Sequence, residues 1–264
     1  SKSTMAITLQ GGSTTIQSNM VIMSSIVEDG LTLFMDPNDI NSYSGTGTAV
    51  TNIAPTASSN SITGTLDAAS MYVNPSDSAA YFRVRSDSVI QRLDFSGTIT
   101  RNADEASTVM FYFWSSYNAQ GQYGNSQAFF GGKYTNYMAL TGGNDGTYGV
   151  EAETNGAGTP EGNHDYFANQ SGVFNTSTWN SWTSVFNSNQ ATNYYNGAQH
   201  ATQYNFIAPA SSAQTFNRLG SNSTGTGSGN RGGDIRMGAL LIYNRALSGE
   251  EIRQNLDILD RRFS

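Results

Sequence analysis

Residues 233–263 read GDIRMGALLIYNRALSGEEIRQNLDILDRRF, and this stretch decides the fold. In its first part, apolar side chains recur at every second position, the period that places them on one face of a β-strand. These side chains are Ile235, Met237, Ala239, Leu241 and Tyr243. Leu240 and Ile242 add apolar side chains on the opposite face. The pattern therefore predicts a strand that is covered on both sides.

A short helix is predicted to follow this strand. Ser248 stands three residues before Glu251, which is the spacing of a capping box, and Leu247 is placed to pack against Ile252 as a hydrophobic staple. These signals predict that the helix begins at Gly249. Its large apolar side chains then form one stripe, so we expect the helix to pack as a lid. The stripe consists of Ile252, Leu256, Leu259 and Phe263.

The end of the chain resembles the end of a known family. The run YNRALS at 243–248, followed by Glu251 and Ile252, is similar to the last strand and terminal helix of concanavalin A-like jelly rolls of the laminin-G-like kind. The stretch GLTLFMD at 30–36, with SYSGTG at 42–47, resembles the opening strand and first loop of that family. This form of the opening is associated with tailed-phage structural proteins.

The middle of the chain carries a third match. WNSWTSVF at 179–186, followed by YYNG at 194–197, resembles the family's central hairpin with an Asn-Gly turn. The three matches follow the expected order and together cover residues 30–264, although VTNIAP at 50–55 departs from the family pattern. The resemblance implies an all-β fold. It would be a two-sheet antiparallel jelly-roll sandwich, concanavalin A-like, with one short C-terminal helix.

Composition agrees with that fold. Only 12% of the residues are charged, and Gly, Ser, Thr and Asn are abundant, which is typical of short strands joined by polar turns. The run TVMFYFW at 108–114 is apolar throughout, as expected for a strand covered on both faces. A chain of 264 residues can bury one substantial core. We therefore expect one domain over 30–264.

Residues 1–29 precede the first family-like strand. They are polar and weakly alternating, and their only lysine is Lys2. One interpretation is an additional strand of the sandwich. The other is an N-terminal arm that adds to a neighbouring subunit through main-chain hydrogen bonds, as extended peptides do at exposed sheet edges.

Several classes of function are disfavoured. The chain has no cysteine, so disulfides, zinc thiolate sites and thiol nucleophiles are excluded. A net charge of −7 argues against nucleic acid as a partner, because that affinity depends on clustered Lys and Arg. The beginning of the chain has no basic n-region, and the apolar stretch at 20–27 is too short for a signal or a membrane span. We expect synthesis and folding in a cytoplasm, without membrane insertion.

The patterns that suggest catalysis are weak. Glu151 and Glu153 would share one face of a strand, and retaining glycosidases use two carboxyl groups about 5–5.5 Å apart. Some jelly-roll glucanases carry their catalytic acids on one strand in an E-x-D-x-x-E arrangement. In this chain the third acid of that arrangement would fall at 154–156, where no residue is acidic. Carboxylates exposed to solvent on a strand are therefore the favoured interpretation of Glu151 and Glu153. His164 and His200 are expected at the surface. GSGNRG at 227–232 precedes a strand rather than a helix, which indicates a loop and not a dinucleotide site.

Two sets of residues are candidates for binding. Asp36 and Asp39 supply oxygen atoms of the kind that calcium takes, although turn formation explains them as well. Aromatic side chains crowd the middle of the chain, where exposed Tyr and Trp could stack on sugars or anchor an interface. Core packing is expected for Phe111, Phe113, Phe129 and Phe130. Loop exposure, and hence ligand binding, is expected for Tyr117, Tyr123 and Tyr134.

Two functions from different classes remain. The first is a non-enzymatic virion structural protein of a tailed phage, assembled in the host cytoplasm and displayed on the capsid as decoration or on the tail. Its partners would be other virion proteins, copies of itself in a homo-oligomer, and cell-surface glycans. The second is a carbohydrate-active lectin or glycoside hydrolase, with Glu151 and Glu153 as the acids to test. The lack of a catalytic constellation favours the first. No cofactor is expected, and a calcium ion at Asp36 and Asp39 is the alternative.

Overall fold

The structure, a computed structural model, consists of antiparallel strands and a C-terminal helix. It describes residues 25–56, 62–84, 91–101, 105–115, 127–128, 130–131, 137–142, 147–154, 163–166, 170–171, 178–187, 190–199, 204–205, 214–220 and 235–263. In chain order the strands are β1 (Leu31–Met35), β2 (Ala49–Val50), β3 (Gly64–Leu66), β4 (Tyr72–Val73), β5 (Tyr81–Val84), β6 (Leu93–Arg101), β7 (Ser107–Ser115), β8 (Gln127–Ala128), β9 (Phe130–Gly131), β10 (Tyr137–Gly142), β11 (Thr147–Thr154), β12 (Asn163–Tyr166), β13 (Gln170–Ser171), β14 (Trp179–Asn187), β15 (Gln190–Tyr195), β16 (Ala198–Gln199), β17 (Tyr204–Asn205), β18 (Gln214–Leu219) and β19 (Ile235–Tyr243). Helix α1 is Gly249–Phe263, and Ala69–Met71 forms one 3-10 turn.

The strands of the described residues form three sheets. The first sheet has nine strands in the order β16-β15-β14-β7-β19-β5-β4, with β1 also paired to β19 and β17 to β15. The second sheet has the order β2-β3-β6-β18-β9. The third sheet has the order β12-β11-β10-β8, with β13 paired to β11, and its strand β10 lies beside β9 and β18. This architecture confirms the predicted antiparallel β-sandwich with one C-terminal helix.

The first sheet is covered on both faces, as the sequence predicts for its last strand. Its inner face packs against the second sheet in an inner core, where Phe82, Phe111 and Phe113 are buried beside Leu93 and Leu219. Its outer face packs under α1 in an outer core. The helix contributes Ile252, Leu256, Leu259 and Phe263 to that outer core, which confirms the predicted apolar stripe.

The predicted alternation along β19 is wrong in one respect. The pairing of β19 with β7 shifts between Met237 and Ala239, so Gly238 is the extra residue of a β-bulge. The bulge exchanges the two faces of the strand. Ile235, Met237, Leu240 and Ile242 lie in the inner core, whereas Ala239, Leu241 and Tyr243 lie under the helix. A Cβ atom on Gly238 would lie 2.7 Å from Cζ of Phe263, so glycine lets the helix approach closely at the bulge.

The start of α1 has the predicted cap. The backbone N–H of Ser248 donates to Oε2 of Glu251 over 2.8 Å, and the backbone N–H of Glu251 donates to Oγ of Ser248 over 3.3 Å. Leu247 and Ile252 are both buried in the outer core. The capping box, the staple positions and the helix start at Gly249 are therefore confirmed.

Arg245 joins this cap to the rest of the sheet. Its Nη2 donates to Oε1 of Glu251 over 2.7 Å and its Nη1 donates to Oε2 over 3.1 Å, which makes a bidentate ion pair. The backbone carbonyl of Arg245 accepts a hydrogen bond from Oγ1 of Thr108 over 2.9 Å, and Nε donates to the carbonyl of Asp29 over 2.9 Å. The YNRALS run thus holds the helix to β7 and to the chain before β1.

Replacing Glu251 with glutamine should make stability less dependent on pH in acid. Hydrogen bonds from Arg245 and Ser248 lower the pKa of Glu251 to about 2. Because the folded-state pKa lies below that of the unfolded chain, this stabilisation is present above about pH 4 to 5 and is lost as the pH falls toward 2. Glu251 is partly solvated, so we expect the variant to lose about 1 kcal/mol at pH 7. Denaturant unfolding between pH 2 and 7 measures both effects.

Glu250 offers the matched control for this prediction. It lies in the same first turn of α1 and is exposed. Glu250→Gln removes a similar interaction with the helix dipole, about 0.3 kcal/mol, but no bidentate pair. Equal loss of stability in the two variants would contradict a role for the Arg245 pair.

The central hairpin is present. Strands β14 and β15 pair antiparallel, from Trp182 opposite Tyr195 to Asn187 opposite Gln190. The Asn-Gly turn joins β15 to β16: Asn196 and Gly197 both have positive φ, at 46° and 76°, as a two-residue type I′ turn requires. The hairpin and the Asn-Gly turn are both present, but the turn closes the neighbouring β15–β16 pair and not the β14–β15 hairpin itself.

The chain immediately before β1 runs along α1. Nε2 of Gln254 donates to the carbonyl of Ser25 over 2.9 Å, and the backbone N–H of Val27 donates to Oδ1 of Asn255 over 2.8 Å. Ile26 is buried in the outer core. Residues 25–29 form no strand, whereas residues 1–24 lie outside the described part, so the choice between an arm and an extra strand stays a prediction. Within the described ranges, no helix has the length and apolar character needed to cross a membrane.

Candidate ligand-binding surface

The outer face of the first sheet carries aromatic side chains beyond the C-terminal end of α1. The ring of Phe263, at the end of the helix, packs 4.1 Å from that of Trp179 and 5.1 Å from that of Tyr112, centroid to centroid. From Trp179 the outer face continues away from the helix. A group of five residues, with Trp179 among them, lies there on β5, β7, β14 and β19. We call it the aromatic–arginine patch: Tyr81, Arg83, Trp114, Trp179 and Arg236.

Strand alternation explains why these side chains face outward. Phe113 lies in the inner core, so Trp114, the next residue of β7, points to the outer face. Arg236 lies between Ile235 and Met237, which both lie in the inner core, and therefore points the same way. The register places Arg236 directly opposite both Trp114 on β7 and Arg83 on β5.

The rings and the guanidinium group of the patch are in contact. The guanidinium carbon of Arg236 lies 3.6 Å from the ring centroid of Trp114 and 5.1 Å from that of Tyr81. Trp179 stacks on Tyr112 with an interplanar angle of 10°, and its edge meets Tyr81 at 6.3 Å. Trp114, Trp179, Arg83 and Arg236 are half-buried. The patch therefore presents ordered aromatic surface with partial access to solvent.

The charge of the patch is unlike that of the whole chain. The chain has a net charge of −7, yet two arginines stand directly opposite each other here. The guanidinium group of Arg236 stacks on Trp114, a cation–π contact that stabilises the charge of Arg236 at this position. Arg236 forms no hydrogen bond or ion pair with any residue that the structure describes.

A polar cluster on the inner face is of a different kind. Nε1 of Trp182 donates to Oγ of Ser184 over 2.9 Å, and this hydroxyl donates to Oδ1 of Asn193 over 2.7 Å. The hydroxyl of Tyr195 is hydrogen-bonded to Oδ1 of Asn180. Buried polar groups need such partners. These hydrogen bonds join side chains of β14 and β15, so we assign the cluster to the stability of that hairpin.

The predicted calcium ligands have protein partners. Oδ1 of Asp36 accepts a hydrogen bond from the backbone N–H of Asn38 over 2.9 Å, and its other oxygen pairs with Arg262 at the end of α1. Burial raises the pKa of Asp36, and the charge of Arg262 opposes that shift. Oδ1 of Asp39 accepts hydrogen bonds from the backbone and side chain of Asn41, as in an Asx turn.

These contacts give Asp36 and Asp39 structural roles. Asp36 ties the first loop to the helix, and Asp39 shapes the loop itself. Among the residues that the structure describes, no group of three or more His, Asp or Glu side chains is placed to hold a metal ion. A calcium ion bound by these two residues stays a prediction.

The aromatic candidates divide into two groups. Phe111 and Phe113 are buried in the inner core, as predicted. Tyr117, Tyr123, Tyr134 and Phe129 lie outside the described residues, so their predicted roles stay predictions. Phe130 lies on β9, opposite Leu219 of β18.

Glu151 and Glu153 lie on β11, in the middle of the third sheet, as the sequence predicts. The register places Glu151 opposite Tyr166 of β12 and Glu153 opposite His164 of the same strand. His164 is thus a strand residue, paired in register with β11. Its expected position at the surface stays a prediction. His200 and the GSGNRG run at 227–232 lie outside the described part.

Sequence reasoning did not single out Trp114, Trp179 and Arg236. The sequence held one signal for Trp114 and one for Arg236. Trp114 follows Phe113 in an alternating run, and Arg236 is a charged residue between two core positions. Nothing in the sequence showed that the two residues meet, because their contact depends on the register between β7 and β19.

No family model matches the chain, and no curated protein matches it. Solved structures do. A mutant of the Trypanosoma rangeli sialidase displaying trans-sialidase activity matches at a TM-score of 0.56 and 11% identity, over 89% of this chain and 34% of the sialidase. The botulinum neurotoxin serotype D binding domain matches at a TM-score of 0.56 and 14% identity, over 89% of this chain and 51% of that one. The binding domain of botulinum neurotoxin DC in complex with SialylT matches at a TM-score of 0.56 and 10% identity. The match covers 88% of this chain and 52% of that one.

The chain therefore spans between about a third and about half of the matched chains. At identities of 10–14%, these likenesses bear on the fold and on nothing finer. What they show is that the chain has the β-sandwich fold that the sequence predicted.

Proposed function

We propose that the chain is a non-enzymatic, carbohydrate-binding jelly-roll module of a virion structural protein from a tailed phage, displayed on the capsid or the tail. The observation that carries the binding part is the aromatic–arginine patch. The virion part is supported by the sequence alone, through the opening stretch at 30–36 and 42–47 that is similar to tailed-phage structural proteins. In that setting its partners are other virion proteins and copies of itself.

The patch has the physical properties of a sugar platform. Flat aromatic faces stack on the apolar faces of sugar rings. The hydroxyl groups at the edge of the stacked sugar then remain able to form hydrogen bonds. Trp114 and Trp179 lie on adjacent strands, opposite each other in register, so they span about the 5 Å between strands. Tyr112 and Phe263 support Trp179 from the helix side. Side chains that are already held in place lose little entropy when a ligand binds.

The matched structures support testing glycans first. Two of them are the T. rangeli sialidase in complex with sialic acid and the binding domain of botulinum neurotoxin DC in complex with SialylT. Those ligands belong to those proteins. They supply a reason to include sialylated compounds among the glycans tested on this chain.

Replacing Trp114 with alanine should weaken glycan binding about tenfold or more, equivalent to about 1.4 kcal/mol, because the variant removes half of the stacking platform. A glycan array identifies the ligand, and calorimetric titration of the full chain measures the change. Ile40 provides the control, since it is 72% exposed and apolar but lies in the first loop and is not one of the five patch residues. Ile40→Ala should bind as the original chain does. Equal binding by the Trp114 variant would contradict the proposed surface.

The same incubations test the non-enzymatic part of the proposal. The bound glycan should be recovered intact. The register of β11 and β12, with His164 opposite Glu153, favours one second candidate, a glycoside hydrolase that uses Glu151 and Glu153. If products appear and Glu151→Gln and Glu153→Gln abolish them, that second function is the correct one. The virion part is tested separately, by mass spectrometry of purified particles, which should contain the chain in many copies.

A further inference from the structure

We infer that the aromatic–arginine patch recognises a sugar that bears a carboxylate group, with Arg236 as the residue that binds the carboxylate. This inference rests on the proposed glycan-binding function and narrows it to one chemical class of ligand. It is carried by the contacts of Arg236, by the charge around it and by the aromatic surface beside it.

The guanidinium group of Arg236 is available for a ligand. It is half-buried, yet none of its five N–H donors has a partner among the described residues. By contrast, Arg92 pairs with Asp67, Arg245 with Glu251 and Arg262 with Asp36. A planar guanidinium fork fits a carboxylate through two parallel hydrogen bonds. The missing partner at Arg236 is therefore of the kind that an acidic sugar supplies.

The stacking on Trp114 prepares this group for binding. With its central carbon 3.6 Å from the ring centroid, one face of the guanidinium is covered by the indole, and Tyr81 lies 5.1 Å away. The N–H donors point along the edge of the guanidinium plane, so stacking leaves them available. A guanidinium group that already has a fixed orientation loses less entropy per hydrogen bond formed than one on a mobile side chain does.

The local charge favours an anion. Arg83 stands directly opposite Arg236, and this pair of cations lies on a chain with a net charge of −7. A carboxylate bound at Arg236 would also be attracted by the charge of Arg83 on the neighbouring strand. A chain that is acidic as a whole would repel most acidic ligands, so the patch supplies the attraction locally.

The neighbouring rings direct the choice toward a sugar. Trp179 extends the aromatic surface from Trp114 across β14, on the same outer face. A pyranose ring that carries a carboxylate could place its acid on Arg236 and its apolar face on the side of the Trp114 indole that Arg236 leaves uncovered. A carboxylate without an apolar ring would use only half of the patch.

Calorimetric titration of the full chain tests this inference with three probes: 3′-sialyllactose, digalacturonic acid and lactose. At least one of the two carboxylated probes should bind about tenfold more tightly than lactose, and higher salt should weaken that binding. Arg236→Gln and Arg236→Lys should each reduce it about tenfold or more, since glutamine lacks the charge and lysine lacks the planar fork. Arg253→Gln, a change at an exposed arginine on α1, should have no effect.

The outcomes separate this inference from the proposed function. If lactose or another neutral glycan binds as tightly as the carboxylated probes, or if both Arg236 variants bind the latter as the original chain does, the inference is overturned and the glycan-binding function stands. If no glycan of any class binds on an array, the proposed function itself fails. Both Arg236 variants should still unfold cooperatively, with only a small change in unfolding temperature, because Arg236 forms no hydrogen bond or ion pair with a described residue and loses only its stacking contacts.

Discussion

Replacing Gly220 with alanine should destabilise the protein by about 2–4 kcal/mol, because two unfavourable effects add at this position. Gly220 follows β18 and has a φ of +98°, a backbone conformation that residues with a Cβ rarely adopt. A Cβ atom there would lie 2.0 Å from Cγ1 of Val84 and 2.8 Å from the carbonyl oxygen of Gln91. Val84 is buried in the inner core, so neither neighbour can move away easily. Urea unfolding followed by tryptophan fluorescence measures the loss.

Gly45 separates the two effects. Its φ of +85° is similar, but a Cβ atom there would meet nothing within 4 Å. Gly45→Ala should therefore lose only the backbone part, about 1–2 kcal/mol. If Gly220→Ala and Gly45→Ala lose the same stability, the close approach of Gly220 to Val84 on β5 is contradicted.

The C-terminal helix illustrates what a sequence can predict. Its cap depends on Ser248 and Glu251, which are three residues apart, and its buried face depends on spacings of three and four. Both signals lie within a few residues of the structure that they describe. The same holds for the Asn-Gly turn at 196–197, where local backbone preference decides the turn type.

The bulge at Gly238 illustrates what a local pattern misses. Perfect alternation from Ile235 to Tyr243 suggested one continuous face, but a bulge depends on how β19 pairs with β7 and on how closely Phe263 approaches from the helix. A glycine within a strand was the available signal. The binding surface was missed for the same reason, since the contact of Arg236 with Trp114 exists only in one register.

The link between residues 25–29 and the helix gives the second prediction of large effect. Asn255 is fully buried; its Oδ1 accepts from the backbone N–H of Val27 and its Nδ2 donates to the hydroxyl of Tyr243, both over 2.8 Å. Asn255→Leu fills a similar volume but leaves both partners without a hydrogen bond. A buried polar group without a partner costs about 1–3 kcal/mol, so we expect a loss of about 2–4 kcal/mol in urea unfolding. Faster amide exchange at Val27 should accompany it.

A double-mutant cycle shows whether the loss arises from those stranded partners. Burial raises the pKa of Tyr243, so its hydroxyl stays protonated and accepts from Asn255 as a neutral group. When Tyr243→Phe is combined with Asn255→Leu, no polar atom remains unpaired between the two side chains, and the double variant should lose less stability than the sum of the single ones. Gln254→Ala, which removes only the hydrogen bond to Ser25, should cost less than about 1 kcal/mol. Additive losses would mean that the hydrogen bond between Asn255 and Tyr243 does not contribute to the loss. Unchanged amide exchange at Val27 would mean that the chain before β1 does not depend on Asn255 for its position.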